Sequence, residues 1–489
     1  MNERVGGAAP RTALSDLTEA LLATEKELGL IERRVADAPA WQRIRFEVHR
    51  RLIVESGVMG HPEPAGASAW GWLRARLRVL GAAGSRSAFG AVPPCELLFA
   101  GGGRRVRDAR WGWYSPYCGI VAHGVAREAL VVEFRNGPRT PAAPGVATRY
   151  LDRLHAASLL RRVGGRPAHV PSAFMKVMWE AASRLERDTG VAVDLGAMVR
   201  DDLTRREVEL PRYRRLLRRC GARVVVVECS YDKHSVLEAA RSLDLPVVEL
   251  QHGVVSRHHL GYHFPSAPRD AVLFPDWFFA WGEHWRAAAD FPLDPRRVPL
   301  VGFPRFDRER AMSGGADTGD DVLVLSQAML GERLSRFTAA LAERGLRERI
   351  VYRLHPREEP SWRRRHPWLA ASGVRVTGAA VPLYPQLRSA SVHVGSFSTA
   401  LFEGMALGAD TYLVPAPGVE YMDDVLRAGW ATTADTPDAL AASIAGARPR
   451  SDPPPLDALF RPDSLPRACA LLEAIASGRP GGDLEEAHA

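Results

Sequence analysis

The chain has 489 residues, 46% hydrophobic and 25% charged, with a net charge of +8. That length exceeds what one hydrophobic core serves, so two or three domains of ordinary globular composition are expected. No apolar run approaches the roughly 18–20 residues needed to span a bilayer, and the first residues lack the apolar core of a signal peptide, so a cytoplasmic location is expected. The positive charge is nearly all arginine, with three lysines at Lys26, Lys176 and Lys233. Such a balance suits anionic small molecules or lipid-linked phosphates; the arginines are dispersed and no nucleic-acid motif accompanies them, so nucleic acid is not an expected partner. The five cysteines (Cys95, Cys118, Cys220, Cys229, Cys469) are scattered without a CxxC pair and read as structural.

Residues 1–12 carry no periodic pattern. Apolar residues from Leu14 to Ile31 have helical spacing broken near Gly29, and Trp41–Val48 reads as a second helix. Residues 57–70 read as a linker and Trp70–Leu80 as a basic helix. These helices are expected to scaffold the main domain, with an interfacial amphipathic surface around Trp70 and Trp72 as the competing reading. The α/β pattern starts at Cys95–Ala100, followed by Gly101, Gly102, Gly103 and Arg104. A glycine-rich turn with arginines can approach an anion backbone-first; a plain tight turn fits equally. Leu130–Phe134 is a strand and Pro171–Thr189 an amphipathic helix. Pro211 is expected to open a helix ending at Gly221.

Arg223–Cys229 is an unalternating apolar run, as in a strand buried on both faces. The helix Lys233–Leu243 and the strand Leu245–Leu250 complete a βαβ unit. That strand runs into Gln251, His252 and Gly253. A domain boundary is expected just after Val301–Asp307. A second α/β unit follows, with strands at Asp321–Ser326, Ile350–Leu354, Val374–Thr377, Val392–Val394 and Thr411–Val414, and a helix at Ser398–Leu407. The expected division is a helical extension and linker over 1–90, a Rossmann-like domain over 91–310, a second over 311–475, and a disordered tail over 476–489. The fold class is α/β, two Rossmann-like domains in a GT-B-like arrangement.

Two strand ends carry the chemistry. Arg353, His355 and Pro356 follow one strand; Gly395, Ser396, Ser398, Thr399 and Glu403 follow another. Ligands in open α/β sheets sit at carboxyl ends of strands. Ser396, Ser398 and Thr399 lie at a helix N-terminus, where unpaired N–H groups favour a phosphate; N-capping of that helix needs no ligand. Glu403, one turn further, fits either a ribose-hydroxyl acceptor or a capping carboxylate. Pro356 fixes the turn that aims His355. His252 is the candidate general base, with a loop-organising histidine as the bland alternative. His258, His259 and His263 invite a metal, but Gly261 and Pro265 break the helix that would align them, so neither a metal nor another cofactor is expected. His366-Pro367 has no preceding strand and reads as a decoy.

The ordered set His252-Gly253, Gly302-Phe303-Pro304-Arg305-Phe306-Asp307, Arg353-x-His355-Pro356 and Ser396-x-Ser398-Thr399…Glu403 resembles bacterial sialyl- and Kdo-type capsule glycosyltransferases. It is also similar to teichoic-acid polyol-phosphate transferases. The resemblance covers roughly 220–415. It implies a GT-B enzyme that binds a nucleotide-sugar donor, CMP-linked by preference, through Arg353, His355, Pro356, Gly395, Ser396, Ser398, Thr399 and Glu403. The glycan or lipid-linked acceptor would face Gln251, Gly253, Gly102, Gly103 and Arg104, with His252 and His355 catalytic. Peripheral contact with the inner membrane surface is a further expectation. A CDP-alcohol polyol-phosphate transferase, a UDP-sugar 2-epimerase needing additional cleft carboxylates, and a non-catalytic GT-B-like subunit remain as alternatives.

Overall fold

The computed structural model describes residues 13–59, 86–102, 105–108, 112–134, 145–165, 167–265, 267–312, 319–447 and 453–479. Gly103, Arg104, the expected helix Trp70–Leu80, the first twelve residues and the tail from 480 lie outside the described residues.

The first sheet is built from β1 (Leu97–Ala100), β4 (Ala129–Glu133), β5 (Ala147–Tyr150), β6 (Val224–Val227), β7 (Val247–Leu250) and β8 (Trp277–Phe279). Between β1 and β4 the chain makes a small antiparallel pair, β2 (Val106–Asp108) and β3 (Gly112–Tyr114). The second sheet holds β9 (Asp321–Leu325), β10 (Ile350–Arg353), β11 (Arg375–Thr377), β12 (Ala390–Gly395), β13 (Asp410–Leu413) and β14 (Thr432–Thr433). Both sheets are parallel throughout. Their spatial orders are β5-β4-β1-β6-β7-β8 and β11-β10-β9-β12-β13-β14. Numbered within each sheet by chain order, both read 3-2-1-4-5-6, the Rossmann order. The architecture is therefore α/β and GT-B-like.

Residue type accounts for the strands. Val224 to Val227 are all fully buried, as helices cover both faces of a parallel sheet. Each such valine contributes about 1.5–3 kcal/mol relative to an exposed one.

One helical expectation changes, and one helix lies where no expectation placed it. Pro211 does not open a helix; it lies inside one that runs Leu195–Cys220. Asp194 caps the true start by accepting from the Ala197 amide, and Arg212 donates to the Val208 carbonyl beside the proline at 2.7 Å. The buried face of that helix continues across Pro211, and its packing outweighs the loss of one backbone bond. The helix Ser464–Ala476, which sequence reading did not single out and whose residues fall mostly in the span 311–475 expected as the second domain, packs its Ala468, Cys469, Leu472 and Ala476 against Leu97, Phe99, Val224 and Val226 of the first sheet.

Two residues of the junction dock this returning segment. Gly302 has φ +90°, and a Cβ there would overlap the Arg461 carbonyl oxygen. The Asp307 carboxylate accepts from the Ser464 amide at 2.9 Å and its hydroxyl at 2.6 Å. Aromatic rings pack at the junction: Trp281 on Phe303 at 4.3 Å, Phe306 on Phe460 of the returning segment at 4.5 Å and, across to the second sheet's helix, Trp285 on Phe402 at 4.5 Å.

The N-terminal helices Leu14–Glu27 and Ala40–Glu55 are packed scaffold. Arg43 is fully buried against Asp202, Glu238 and Ser235, and the Leu14 amide reaches Glu420 of the second half at 3.3 Å. No helix among the described residues is long and apolar enough to cross a membrane.

Candidate functional site

His252 leaves β7 into a hydrogen-bonded chain of four side chains. The Tyr262 hydroxyl donates to Glu249 Oε1 at 2.7 Å and lies 3.2 Å from His252 Nδ1. The Tyr231 hydroxyl is 3.0 Å from His252 Nε2. The Ser230 amide also donates to Glu249 Oε1, at 3.1 Å, which marks that oxygen as the acceptor. Tyr262 has one proton and spends it on Glu249, so it accepts from Nδ1–H. Nε2 then carries the lone pair and takes the Tyr231 proton. Burial raises Glu249, Tyr231 and Tyr262 alike, which keeps both phenols protonated. Phe46 of the N-terminal scaffold packs on Tyr231, centroids 4.1 Å apart, and the Tyr117 ring stands edge-on to His252 at 6.1 Å.

Neighbouring residues of this half have internal duties. Gln251 donates to the Gly253 carbonyl at 3.0 Å and accepts the Trp281 amide at 2.8 Å, tying β7 to β8. Gly253 has no heavy atom within 4 Å of where a Cβ would sit, leaving room beside the imidazole. The Gly102 amide, expected to meet a ligand anion, instead donates to the buried Glu228 carboxylate at the end of β6. Arg105 is likewise paired with the buried Glu133. The glycine-rich turn thus finds its anions inside the protein, and both strand-end carboxylates are engaged.

In the second half, His355 Nδ1 accepts the Arg357 amide at 3.2 Å, so the neutral ring carries its proton on Nε2. The His355 amide donates to Glu358 at 2.8 Å and the Glu358 amide to the His355 carbonyl at 2.8 Å, closing the turn that Pro356 begins. His366 is not idle: its Nε2 lies 3.5 Å from the buried Glu358 carboxylate. Arg353 donates to the Val381 carbonyl and to Gln386, which bonds Thr377; it braces β10 against its neighbours.

The helix Thr399–Ala406 follows β12 at the crossover of the second sheet. Ser398 caps it, accepting from the Ala400 amide at 3.3 Å. Thr399 is its first residue. The Ser396 side chain is fully buried and its hydroxyl has no protein partner. Gly395 leaves a Cβ position only 3.1 Å from Leu401, so strand and helix approach closely there. Glu403 is 5% exposed, and Tyr384 and Arg305 both feel its carboxylate.

His258, His259 and His263 do not converge. His259 stacks between Phe46 and Tyr262, and His263 accepts the Asp290 amide at 3.1 Å. Burial lowers His259 and His263 to about 4. No group of three metal-ligating side chains occurs among the described residues.

Sequence reasoning missed Glu249, Tyr231, Tyr262 and the surroundings of Arg305. A glutamate inside the buried run Val247-Val248-Glu249-Leu250 was a readable signal. The tyrosines, 18 residues before and 13 after it, meet it only through the fold.

No protein-family model matches the chain, and no curated protein is significantly similar to it. Among solved structures it is similar to UDP-GlcNAc 2-epimerase from Methanocaldococcus jannaschii, at TM-score 0.45 and 11% identity over 78% of this chain and 99% of that one. It is similar to the Streptomyces sp. SF2575 glycosyltransferase SsfS6, at TM-score 0.37 and 15% identity over 81% and 100%. Acinetobacter baumannii MurG aligns at TM-score 0.37 and 11% identity over 77% and 95%. At these values none assigns an activity to this chain, and the architecture rests on its own two sheets.

Proposed function

We propose that the protein is a GT-B-type glycosyltransferase that moves a sugar from a nucleotide-activated donor, with CMP-sugars the favoured class, to a surface-polysaccharide or glycolipid acceptor. One observation carries this reading. Arg305 of the junction lies with its guanidinium carbon 5.5 Å from the Tyr384 ring of the second half, and it also feels Tyr117, which stands edge-on to His252 in the first half, and Glu403 in the second.

His252 Nε2 is the proton-accepting atom. An acceptor hydroxyl that takes the place of the Tyr231 hydroxyl on Nε2 gives up its proton there as its oxygen bonds the sugar carbon, while Nδ1–H stays on Tyr262. His355 presents Nε2–H to the leaving phosphate, and the N-terminus of the helix Thr399–Ala406 adds backbone N–H groups. A donor on the β10–β12 side and an acceptor on the β7 side follow. A cytoplasmic enzyme in peripheral contact with the inner membrane surface accords with a lipid-linked acceptor.

The test is a thermal-shift screen with CMP, CDP, UDP, GDP and ADP. A nucleotide at about 100 times its Kd stabilises the protein by about 2.7 kcal/mol. Absence of a shift with every nucleotide at millimolar concentration would refute the donor assignment.

A further inference from the structure

Arg305 stands apart from every other residue of the junction motif. Gly302 and Asp307 dock the C-terminal segment, and Phe303 and Phe306 fill the aromatic interface. The Arg305 side chain is 14% exposed, yet it makes no hydrogen bond to any described residue. Its Nε is buried without a partner. The nearest carboxylate oxygen, on Glu309, is 3.8 Å from Nε, beyond hydrogen-bond reach. Its guanidinium carbon lies 5.5 Å from the centroid of the Tyr384 ring. A guanidinium carries five donors in a planar fork; here the Nε donor is buried and unused, which costs free energy, and the two terminal nitrogens have no hydrogen bond to a described residue.

The surroundings say what would use them. Arg305 feels Tyr384, Glu403, Tyr117 and Glu309, and Arg353 at the end of β10 feels Arg305 in turn. With Tyr384 of the second half 5.5 Å away and Glu309 of its own helix 3.8 Å away, it lies at the junction of the two halves within electrostatic reach of carboxylates that do not bond its fork.

We propose that Arg305 is an anion-binding residue that grips a phosphoryl group with its unpaired guanidinium fork. This rests on the nucleotide-donor reading for the identity of that phosphoryl group, but the anion chemistry stands without it. In the proposed reaction the fork holds the phosphate that departs with the nucleotide. Charge that collects on that phosphate as the sugar leaves would be met by a fixed cation. Glu403 then acts as a positioning residue: with Tyr384 it fixes where the guanidinium lies.

The experiment is calorimetry on the full chain with inorganic phosphate, inorganic pyrophosphate, CMP and UDP, comparing wild type with Arg305→Met and Arg305→Lys. The expected result is a loss of at least tenfold in affinity for the binding anions in R305M, part of it restored in R305K. Methionine keeps the apolar stem and deletes only the orphaned donors, so ligand-free R305M should melt within about 2 °C of wild type or above it. A fall of more than about 5 °C would make Arg305 a structural counter-charge for Glu403 and Glu309 and overturn the proposal. Nucleotide affinity unchanged in R305M overturns the Arg305 assignment and leaves the nucleotide reading standing. Pyrophosphate binding lost in R305M, with no nucleotide bound by wild type, upholds Arg305 and removes the nucleotide. Wild type binding none of the four anions overturns both.

Discussion

Replacing Tyr262 with phenylalanine removes one oxygen atom and leaves the ring packed on Phe278 and edge-on to Phe274. Two hydrogen bonds disappear, the donation to Glu249 at 2.7 Å and the acceptance from His252 at 3.2 Å. Glu249 is 0% exposed, so water does not replace the lost donor, and only the Ser230 amide remains on Oε1. A bond to a charged acceptor is worth about 1.5–3 kcal/mol, and an orphaned Nδ1–H about 1–3 kcal/mol. His252 can escape the second cost by moving its proton to Nε2, where the Tyr231 hydroxyl can turn and accept. The expected net loss is about 2–4 kcal/mol in the first unfolding transition, read by urea denaturation. Imidazole ¹⁵N NMR should show the proton on Nδ1 in wild type and on Nε2 in the variant.

The pH dependence has a definite sign. Burial raises Glu249, and losing a donor raises it further, so ionised Glu249 costs more in the variant. The unfolded chain titrates alike in both proteins, so the deficit should be largest above the variant's raised folded-state value and shrink as pH falls through the variant's and then the wild type's folded-state values, both above the ordinary glutamate range of about 4.3. A variant within about 0.5 kcal/mol of wild type, or a wild-type imidazole protonated on Nε2, would refute the bond assignment.

Other outcomes follow from the same structure. Once a donor is known, His252→Ala should lower turnover by about 100- to 10,000-fold with nucleotide affinity nearly unchanged, whereas Tyr231→Phe should keep turnover within about threefold; a near-normal H252A enzyme would leave a loop-organising histidine. Replacing Ser398 and Thr399 together with alanine should weaken nucleotide affinity by calorimetry in a folded protein, and unchanged binding would discard the helix N-terminus as the phosphate site. Arg43→Met should cost about 3 kcal/mol by denaturation, the low end for breaking a buried pair, since Asp202 and Glu238 lose their shared buried cation but keep Arg205 and Arg206. Burial alone would raise Asp202, but Arg43 and Arg205 outweigh it and hold it below the usual carboxylate range. That stability is present above the unfolded value and fades as pH falls through the depressed one, so R43M should lose less at acid pH than at pH 7.

The sheets were legible because burial on both faces writes itself as a run such as Val224–Val227, and turns such as His355-Pro356 punctuate the strand ends. Pro211 misled because local stereochemistry predicts a helix start, whereas the continuous apolar face from Leu210 to Tyr213 and Leu217 decides otherwise. The partners of the Gly101–Arg105 turn were illegible for another reason. Whether a backbone amide is vacant depends on Glu228, more than 120 residues away, and no local pattern records that. The strand-end position of His252 is legible in the sequence, but the direction of its proton depends on two tyrosines that only the fold assembles.

The return of Ser464–Ala476 to the first sheet bears on how the protein is made. During vectorial synthesis the helix Cys118–Gly124 can cover the β1–β4 part of the face it packs on early, but the part carrying Val224 and Val226 stays without its covering helix until the segment 464–476 has left the ribosome. The earlier-synthesised half is therefore the later to finish, and a fragment ending near residue 310 would expose that part as an adhesive surface. Expression trials of the two halves should accordingly yield the first as aggregate unless the segment 456–476 is supplied.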